Sequence, residues 1–383
     1  MKKLGVLFLA MTMLASLCGC MGSVQPEYPL DKYDLQGYTQ PYWSGNIVYQ
    51  ESAMVLENAD GSIPDIGLMY EAKKIISVRS SDLQTEYLEG TDYTLVDGKL
   101  HIPEGSAIPT VTHDFYYPAE KTDNTMKLNE KYGEGYIFFS EGSVMHTMQI
   151  AVTYVHKDSF TGTVPEFKGD RLPKTTAKLK NGEPLKLAIF GDSISTGANS
   201  TARVAALPMA QTWFDMFAEK LKTTYNLQSL SLYNPSVGGK TSEWGVEEAP
   251  LTVSGFAPDL CVIGFGMNDG TKKLEPEIYK ANIQAIMEAA RANNPDCEFV
   301  LIATILANPE VSNFAGCQKD YLPQLLSLET EGVVVADMTT FHEHLLTRKR
   351  YCDMSGNNVN HPNDFLARAY AQVMWQTVAG YGK

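Results

Sequence analysis

The chain has 383 residues, room for about two domains of ~150 residues each, and 44% of them are hydrophobic, enough to bury a large core. Its net charge of −14 excludes a nucleic-acid binder, because phosphate contacts need clustered Lys and Arg. No low-complexity tract and no repeat at solenoid periods interrupts it.

At the N-terminus, Lys2 and Lys3 precede an apolar run from Leu4 to Leu17. The run has the size of a signal-peptide core and falls short of the ~20 residues that span a bilayer. It ends in Leu17-Cys18-Gly19-Cys20, which resembles the bacterial lipoprotein cleavage signal. The resemblance implies a signal peptide over 1–19 and lipidation of Cys20. It places the body in the bacterial cell envelope, periplasmic or surface-facing, with the membrane met through a lipid anchor only. An ordinary signal peptide with incidental cysteines is the alternative. Loss of 1–19 also removes two lysines and deepens the negative charge.

Residues 20–40, with Pro26, Pro29 and Gly37 among polar residues and tyrosines, read as a tether. Residues 41–170 read as a small all-β, sandwich-like accessory domain of antiparallel strands. Its clearest hairpin is "DYTLVDGKLHI", where Asp97-Gly98 fits a type I′ turn. "MHTMQIAVTYV" alternates, with Met148, Ile150, Val152 and Tyr154 on one face and Gln149, Ala151 and Thr153 on the other. The polar, turn-rich "FKGDRLPKTTAKLKNGEP" connects this region to the C-terminal half.

From 183 to 383 the pattern becomes α/β. Short apolar runs ("LKLAIFG", "LSLYN", "LCVIGFG", "FVLIATI", "VVVADM") alternate with helical segments. In 276–293, Ile283, Ile286, Met287 and Ala290 share one helical face. The alternation predicts a parallel sheet covered on both faces, with sites outside the C-terminal ends of its strands. "GDSIS" follows the first strand, "NPSVGG" the second and "GMND" the third.

Ser193 in "GDSIS" is either a displayed nucleophile or a cap for the next helix. The other turns bear on the choice. Gly238 and Gly239 let a backbone N–H approach a ligand closely. Asn268 offers an amide donor. His361 in "NNVNHPNDFLARAYAQ" precedes a helix that Asn363 or Asp364 would cap. An alcohol nucleophile needs a base, and a tetrahedral intermediate needs donors for its oxyanion. Ser193, His361 and donors from Ser193 N–H, Gly239 N–H and Asn268 supply both.

These four segments, in this order over about 170 residues, resemble the SGNH/GDSL hydrolases, a family of serine esterases. The resemblance covers about 185–383 and implies a flavodoxin-like three-layer α/β/α sandwich. It implies Ser193 as nucleophile, His361 as base, an oxyanion hole of Ser193, Gly239 and Asn268, and no cofactor or metal. The pattern breaks at Asn358, where the family carries an aspartate three residues before the histidine. An amide there fixes the imidazole tautomer but cannot balance an imidazolium, and the same exchange in a serine protease costs ~10⁴ in kcat. Asn358, Asp353, Asp364 or a backbone carbonyl are the candidate orienters.

Of the remaining cysteines, Cys261 reads as a buried hydrophobe, and Cys317 and Cys352 are a conceivable pair in an exported protein. No cysteine has metal-ligand spacing. His342 and His344 in "FHEHLL" point to different sides of a helix and read as surface residues. Export, an upstream β domain and aromatic residues around the site favour an acylated polysaccharide as partner: Trp244, five residues after Gly239, can border the pocket, whereas Trp213 in "QTWFDMF" reads as buried on a helix face. The expected reaction is removal of a short acyl group, chiefly acetyl. A lipid or thioester acylhydrolase, and a non-catalytic glycan-binding lipoprotein, are the alternatives. Whether the β domain binds glycan or props the hydrolase stays open at this level.

Overall fold

A computed structural model describes residues 27–382. The expected signal peptide and Cys20 lie outside the described residues. The N-terminal region is built on one five-stranded sheet. Its strands are β1 (Ile47–Leu56), β2 (Ala72–Ser80), β3 (Glu86–Tyr87), β6 (Thr110–Val111) and β9 (Gln149–His156). The order is β3-β2-β9-β1-β6, antiparallel except for the parallel β1–β6 pair. Two ribbons flank it: β4 (Thr94–Val96) with β5 (Lys99–His101), and β7 (Thr125–Lys127) with β8 (Tyr136–Phe138). Asp97 and Gly98 have φ of 47° and 78°, the double positive φ that a type I′ turn requires.

The C-terminal region is an all-parallel sheet of β10 (Leu185–Gly191), β11 (Leu230–Tyr233), β12 (Leu260–Gly264), β13 (Glu298–Ala303) and β14 (Val333–Asp337), in the order β11-β10-β12-β13-β14. Alternate residues of β10, β12, β13 and β14 enter opposite cores, as the two-residue period dictates. Leu187, Ile189, Val262, Val300, Ile302 and Val334 join Trp213, Phe217 and Phe365 on one face. Ala188, Phe190, Ile263, Phe299, Leu301 and Val335 join Ile283 and Ile286 on the other. The helix Pro276–Arg291 buries Ile283, Ile286, Met287 and Ala290, the stripe its sequence predicts.

The two regions share their cores. Helix Asp364–Val378 is buried on nearly every side, the signature of a helix covered all round. It packs on the parallel sheet and is also held by the N-terminal region: Tyr42 Oη donates to Phe365 O at 2.7 Å, and Gln372 Nε2 donates to Tyr38 O at 2.9 Å. A further cluster joins Met54, Tyr116, Ile137 and Phe138 to Val311, Cys352 and Val359. The polar face of β9 meets the C-terminal region too, with Gln149 Nε2 donating to Cys352 O (2.7 Å) and Ser355 O (3.0 Å). A fully buried ion pair, Lys349 Nζ to Glu51 Oε1 at 2.6 Å, bridges the same seam. Residues 27–40, expected as a tether, lie against this body where they are described. Tyr38 is buried, and Tyr33 Oη donates to Gln211 Oε1 at 2.8 Å.

Two side-chain expectations change. His342 is not a surface residue: it is fully buried, its Nδ1 accepts from Leu306 N–H at 3.1 Å, and burial pushes its imidazole down to about 3. Only His344 of the pair is partly exposed. Cys317 and Cys352 form no disulfide; both are free thiols.

Candidate active site

β10 and β12 converge where the chain leaves the sheet. A Cβ on Gly191 would sit 2.2 Å from Gly264 O and 2.4 Å from Ser195 Oγ, so only glycine lets the two strand ends close up. The turn after β10 is internally bonded. Asp192 Oδ1 accepts from Ile194 N–H at 3.0 Å, and burial pushes this carboxyl up to about 7. Thr196 Oγ1 donates to Ser193 O at 2.7 Å. Ser193 is not a helix cap. The next helix, Trp213–Thr224, is capped by Thr212.

His361 Nε2 lies 2.9 Å from Ser193 Oγ. The histidine backbone is fixed at both ends: its N–H donates to Asn357 Oδ1 (3.0 Å), and its carbonyl accepts from Gly356 N–H (2.9 Å) and Ser355 Oγ (3.0 Å). On the far side of the ring, Nδ1 meets Asn199 Oδ1 at 2.7 Å. Asn199 Nδ2 donates to Gly142 O (3.0 Å) and Gly356 O (3.1 Å), so the amide can only present its oxygen to the ring. Nδ1 therefore carries the proton, and Nε2 is free to accept one from Ser193. Asn199 holds this position with φ of +62°, a left-handed conformation that Asn tolerates better than most residues.

A second group reaches the same nitrogen. Glu141 Oε2 is 3.3 Å from His361 Nδ1. Burial alone would raise the Glu141 carboxyl. The nearby His361 and the Asn357 amide, which donates to Oε1 at 3.1 Å, outweigh it and hold the group below the usual glutamate range.

The three side chains expected to orient His361 do not. Asn358 faces the N-terminal region, where Oδ1 accepts from Tyr116 Oη (2.9 Å) and Nδ2 donates to Phe138 O (2.8 Å). Asp353 pairs with Arg350 at 2.9 Å and accepts from Met54 N–H at 2.8 Å. Asp364 accepts from Thr201 N–H (2.9 Å) and Oγ1 (2.7 Å), and Asn363 caps the helix. Their polar groups are spent on the seam between regions and on a loop. Sequence reasoning missed Asn199 and Glu141. Asn199 follows Ser193 by six residues, so its place in the same polar turn was a usable signal; Glu141 offers none.

The groups expected as oxyanion donors, Gly239 N–H and Asn268 Nδ2, lie on two clamped turns. Gly239 has φ of +76°, a region that glycine alone enters freely. A Cβ on Gly238 would lie 3.6 Å from Ser193 Cβ, so this loop rests against Ser193. Among the described residues, Ser193 N–H and Gly239 N–H donate to no protein group. Asn268 stands in the short helix Met267–Thr271 after β12, with Nδ2 donating one hydrogen to Lys240 O at 3.0 Å. Buried Asp269 ties the two turns together. Its Oδ1 accepts from Ser242 N–H (2.8 Å) and Oγ (2.5 Å), and its Oδ2 accepts from Gly266 N–H (3.2 Å). Asn268→Ala is expected to lower kcat for a small ester by ~10²–10³ with KM little changed, the usual loss for one oxyanion donor. Steady-state kinetics check this, and an unchanged kcat removes Asn268 from the role.

Beside the nucleophile turn opens a hollow of about 410 Å³, lined among others by Thr196, Arg203, Thr212, Phe214, Asp215 and Asn234. Trp213 does not reach it: the indole is buried and its N–H donates to Ile194 O at 2.8 Å. Trp244 is partly buried and packs on Phe190 and Phe265.

Residues 189–369 match the GDSL-like Lipase/Acylhydrolase family. An arylesterase of Vibrio mimicus is 24% identical over 166 residues, covering 43% of this chain and 76% of the relative. Thioesterase 1/protease 1/lysophospholipase L1 of Escherichia coli (strain K12) is 26% identical over 110 residues, covering 29% of this chain and 47% of the relative. Among solved structures, a two-domain esterase (CEX) active on acetylated mannans, co-crystallized with mannopentaose, is 22% identical, with a TM-score of 0.45, covering 56% of this chain and 54% of that one. The chain thus spans about half the length of the last two.

Proposed function

With a GDSL-like lipase/acylhydrolase domain as the C-terminal half of the chain, we propose that the protein is an exported, lipid-anchored serine esterase that removes short acyl groups, acetyl foremost, from carbohydrate. The observation that carries the hydrolytic reading is the 2.9 Å contact of Ser193 Oγ with His361 Nε2, its Nδ1 held by Asn199. Ser193 Oγ attacks the acyl carbon and its proton passes to His361 Nε2. The electron pair of the C=O bond moves onto the carbonyl oxygen, which becomes an oxyanion and is met by Ser193 N–H, Gly239 N–H and Asn268 Nδ2. The sugar oxygen leaves with the proton from His361, and the acyl group stays on Ser193. Water, deprotonated by the same imidazole, then releases the acid and restores the serine.

The sugar acceptor is supported by the hollow beside the turn. Its wall carries hydroxyl, amide, carboxylate and guanidinium groups beside Ala202 and Phe214, donors and acceptors that a hydroxyl-rich acceptor can use. A second reading, hydrolysis of longer acyl esters or thioesters, draws on the similarity to the E. coli enzyme. Hydrolysis of 4-nitrophenyl acetate, butyrate and octanoate, together with acetate release from acetylated xylan and mannan, separates the two. The proposal expects kcat/KM to fall steadily from acetate to octanoate and acetate to appear from a polysaccharide. Preference for octanoate selects the second reading. No turnover of any ester leaves only a glycan-binding role.

A further inference from the structure

Glu141 belongs to the N-terminal region, in the segment between β8 and the helix Val144–Thr147. Nothing in that region's sequence marks it as part of a hydrolase site, yet its carboxylate lies 3.3 Å from His361 Nδ1. The contact is built rather than incidental. The other carboxylate oxygen, Oε1, accepts from Asn357 Nδ2 at 3.1 Å. Asn357 Oδ1 in turn accepts the backbone N–H groups of Val359, Asn360 and His361, each at 3.0 Å. The same side chain therefore shapes the histidine loop and docks the glutamate. The neighbours of Glu141 grip Asn199 from the same side: Gly142 O accepts from its Nδ2, and His146 Nε2 donates to its carbonyl at 2.7 Å.

The two groups at Nδ1 have different capacities. Asn199 is neutral. It fixes the tautomer and the ring plane but offers no charge to the imidazolium that forms when Ser193 gives up its proton. Of the carboxylates expected in this role, Asp353 is held by Arg350 and Asp364 by Thr201. Glu141 is the charged side chain in contact with His361 among the described residues.

We propose that Glu141 is the acid of this active site, a positioning residue lent by the N-terminal region. It acts on His361 together with Asn199, which sets the tautomer. The β region is then part of the catalytic apparatus and not an appended module. This rests on the esterase reading above. The glutamate side chain is 55% exposed, so water and salt screen its charge. Its removal should therefore cost less than the ~10⁴ measured for a buried triad acid, about 10- to 10²-fold.

The test compares wild type with Glu141→Gln and Glu141→Asp on 4-nitrophenyl acetate across pH, alongside NMR titration of His361 in wild type and Glu141→Gln. Glu141→Gln should lower kcat by about 10- to 10²-fold with KM little changed. The acid limb of its pH profile should move to lower pH, because loss of the anion disfavours the protonated ring. Glu141→Asp should recover part of the rate, and added salt should narrow the gap between wild type and Glu141→Gln. Wild-type kcat in Glu141→Gln overturns the proposal. So does a lower kcat with an unmoved acid limb, which marks a merely structural contact. The NMR titration needs no turnover: a lower His361 midpoint in Glu141→Gln supports the pairing even if no ester is hydrolysed, whereas an identical midpoint overturns it.

Discussion

Ser193→Ala is expected to cut kcat for 4-nitrophenyl acetate by about 10⁴- to 10⁶-fold while leaving the fold intact. The size reflects the catalytic groups that remain. Without Oγ no acyl-enzyme forms, and His361 has no nucleophile to deprotonate. The oxyanion donors of Gly239 and Asn268 stay in place and sustain a residual rate of ~10³–10⁴ over water in comparable sites. The fold should survive because, among the described residues, Ser193 Oγ bonds to His361 Nε2 alone. Its backbone carbonyl, which accepts from Thr196 N–H at 3.1 Å, is untouched. Thermal unfolding alongside the kinetics separates lost chemistry from lost structure. Ester turnover within tenfold of wild type would remove Ser193 from the mechanism.

Lys349→Met should be the most damaging single change to stability, by about 3–5 kcal/mol, because it leaves a carboxylate buried without its partner. Both side chains of the Lys349–Glu51 pair are fully buried. Glu51 keeps two donors, Met69 N–H at 2.8 Å and Tyr154 Oη at 2.7 Å. Those soften the loss without replacing a positive charge. Lys349 also donates to Ser52 O at 2.7 Å, so the substitution loosens β1 from the loop that leads to His361. The double variant Lys349→Met/Glu51→Gln should recover much of the loss, since an apolar or neutral replacement of a buried pair is often nearly neutral. Urea unfolding of wild type and the two variants checks this. A loss under 1 kcal/mol in Lys349→Met would mean that solvent reaches the pair.

Local physics made the framework readable from residues alone. The Asp97-Gly98 turn needs two positive φ angles, and its residue types announce them. Four of the parallel strands, β10, β12, β13 and β14, are buried on both faces, so their apolar runs are nearly continuous. Each turn carrying Ser193, Gly239, Asn268 or His361 follows a strand end or precedes a helix, so local spacing located it. The acid was not readable for the opposite reason. Glu141 reaches His361 from far away in the chain, through a contact between regions that no spacing encodes. Asp353 and Asp364 had the right type, and they and Asn358 the nearness in sequence, but Arg350, Thr201 and Tyr116 claim them. The seam also explains β9. Its two-residue period correctly separates Gln149 and Thr153 from the apolar face, but periodicity does not say what covers the polar one. Over Gln149 it is the loop around Cys352 and Ser355, while Thr153 accepts from Gln50 N–H of β1. His342 obeys the same logic, since a lone backbone N–H, that of Leu306, is enough to hold a neutral imidazole inside.

The most direct test of the central claim is to label the nucleophile. The protein would be incubated with diethyl 4-nitrophenyl phosphate, digested and mapped by mass spectrometry. If Ser193 is the activated nucleophile, its Oγ bonds to phosphorus, one equivalent of 4-nitrophenolate leaves, and the diethylphosphoryl group appears on Ser193 as esterase activity disappears. Activity that persists with Ser193 unmodified, or a label carried by a different serine, would contradict the account.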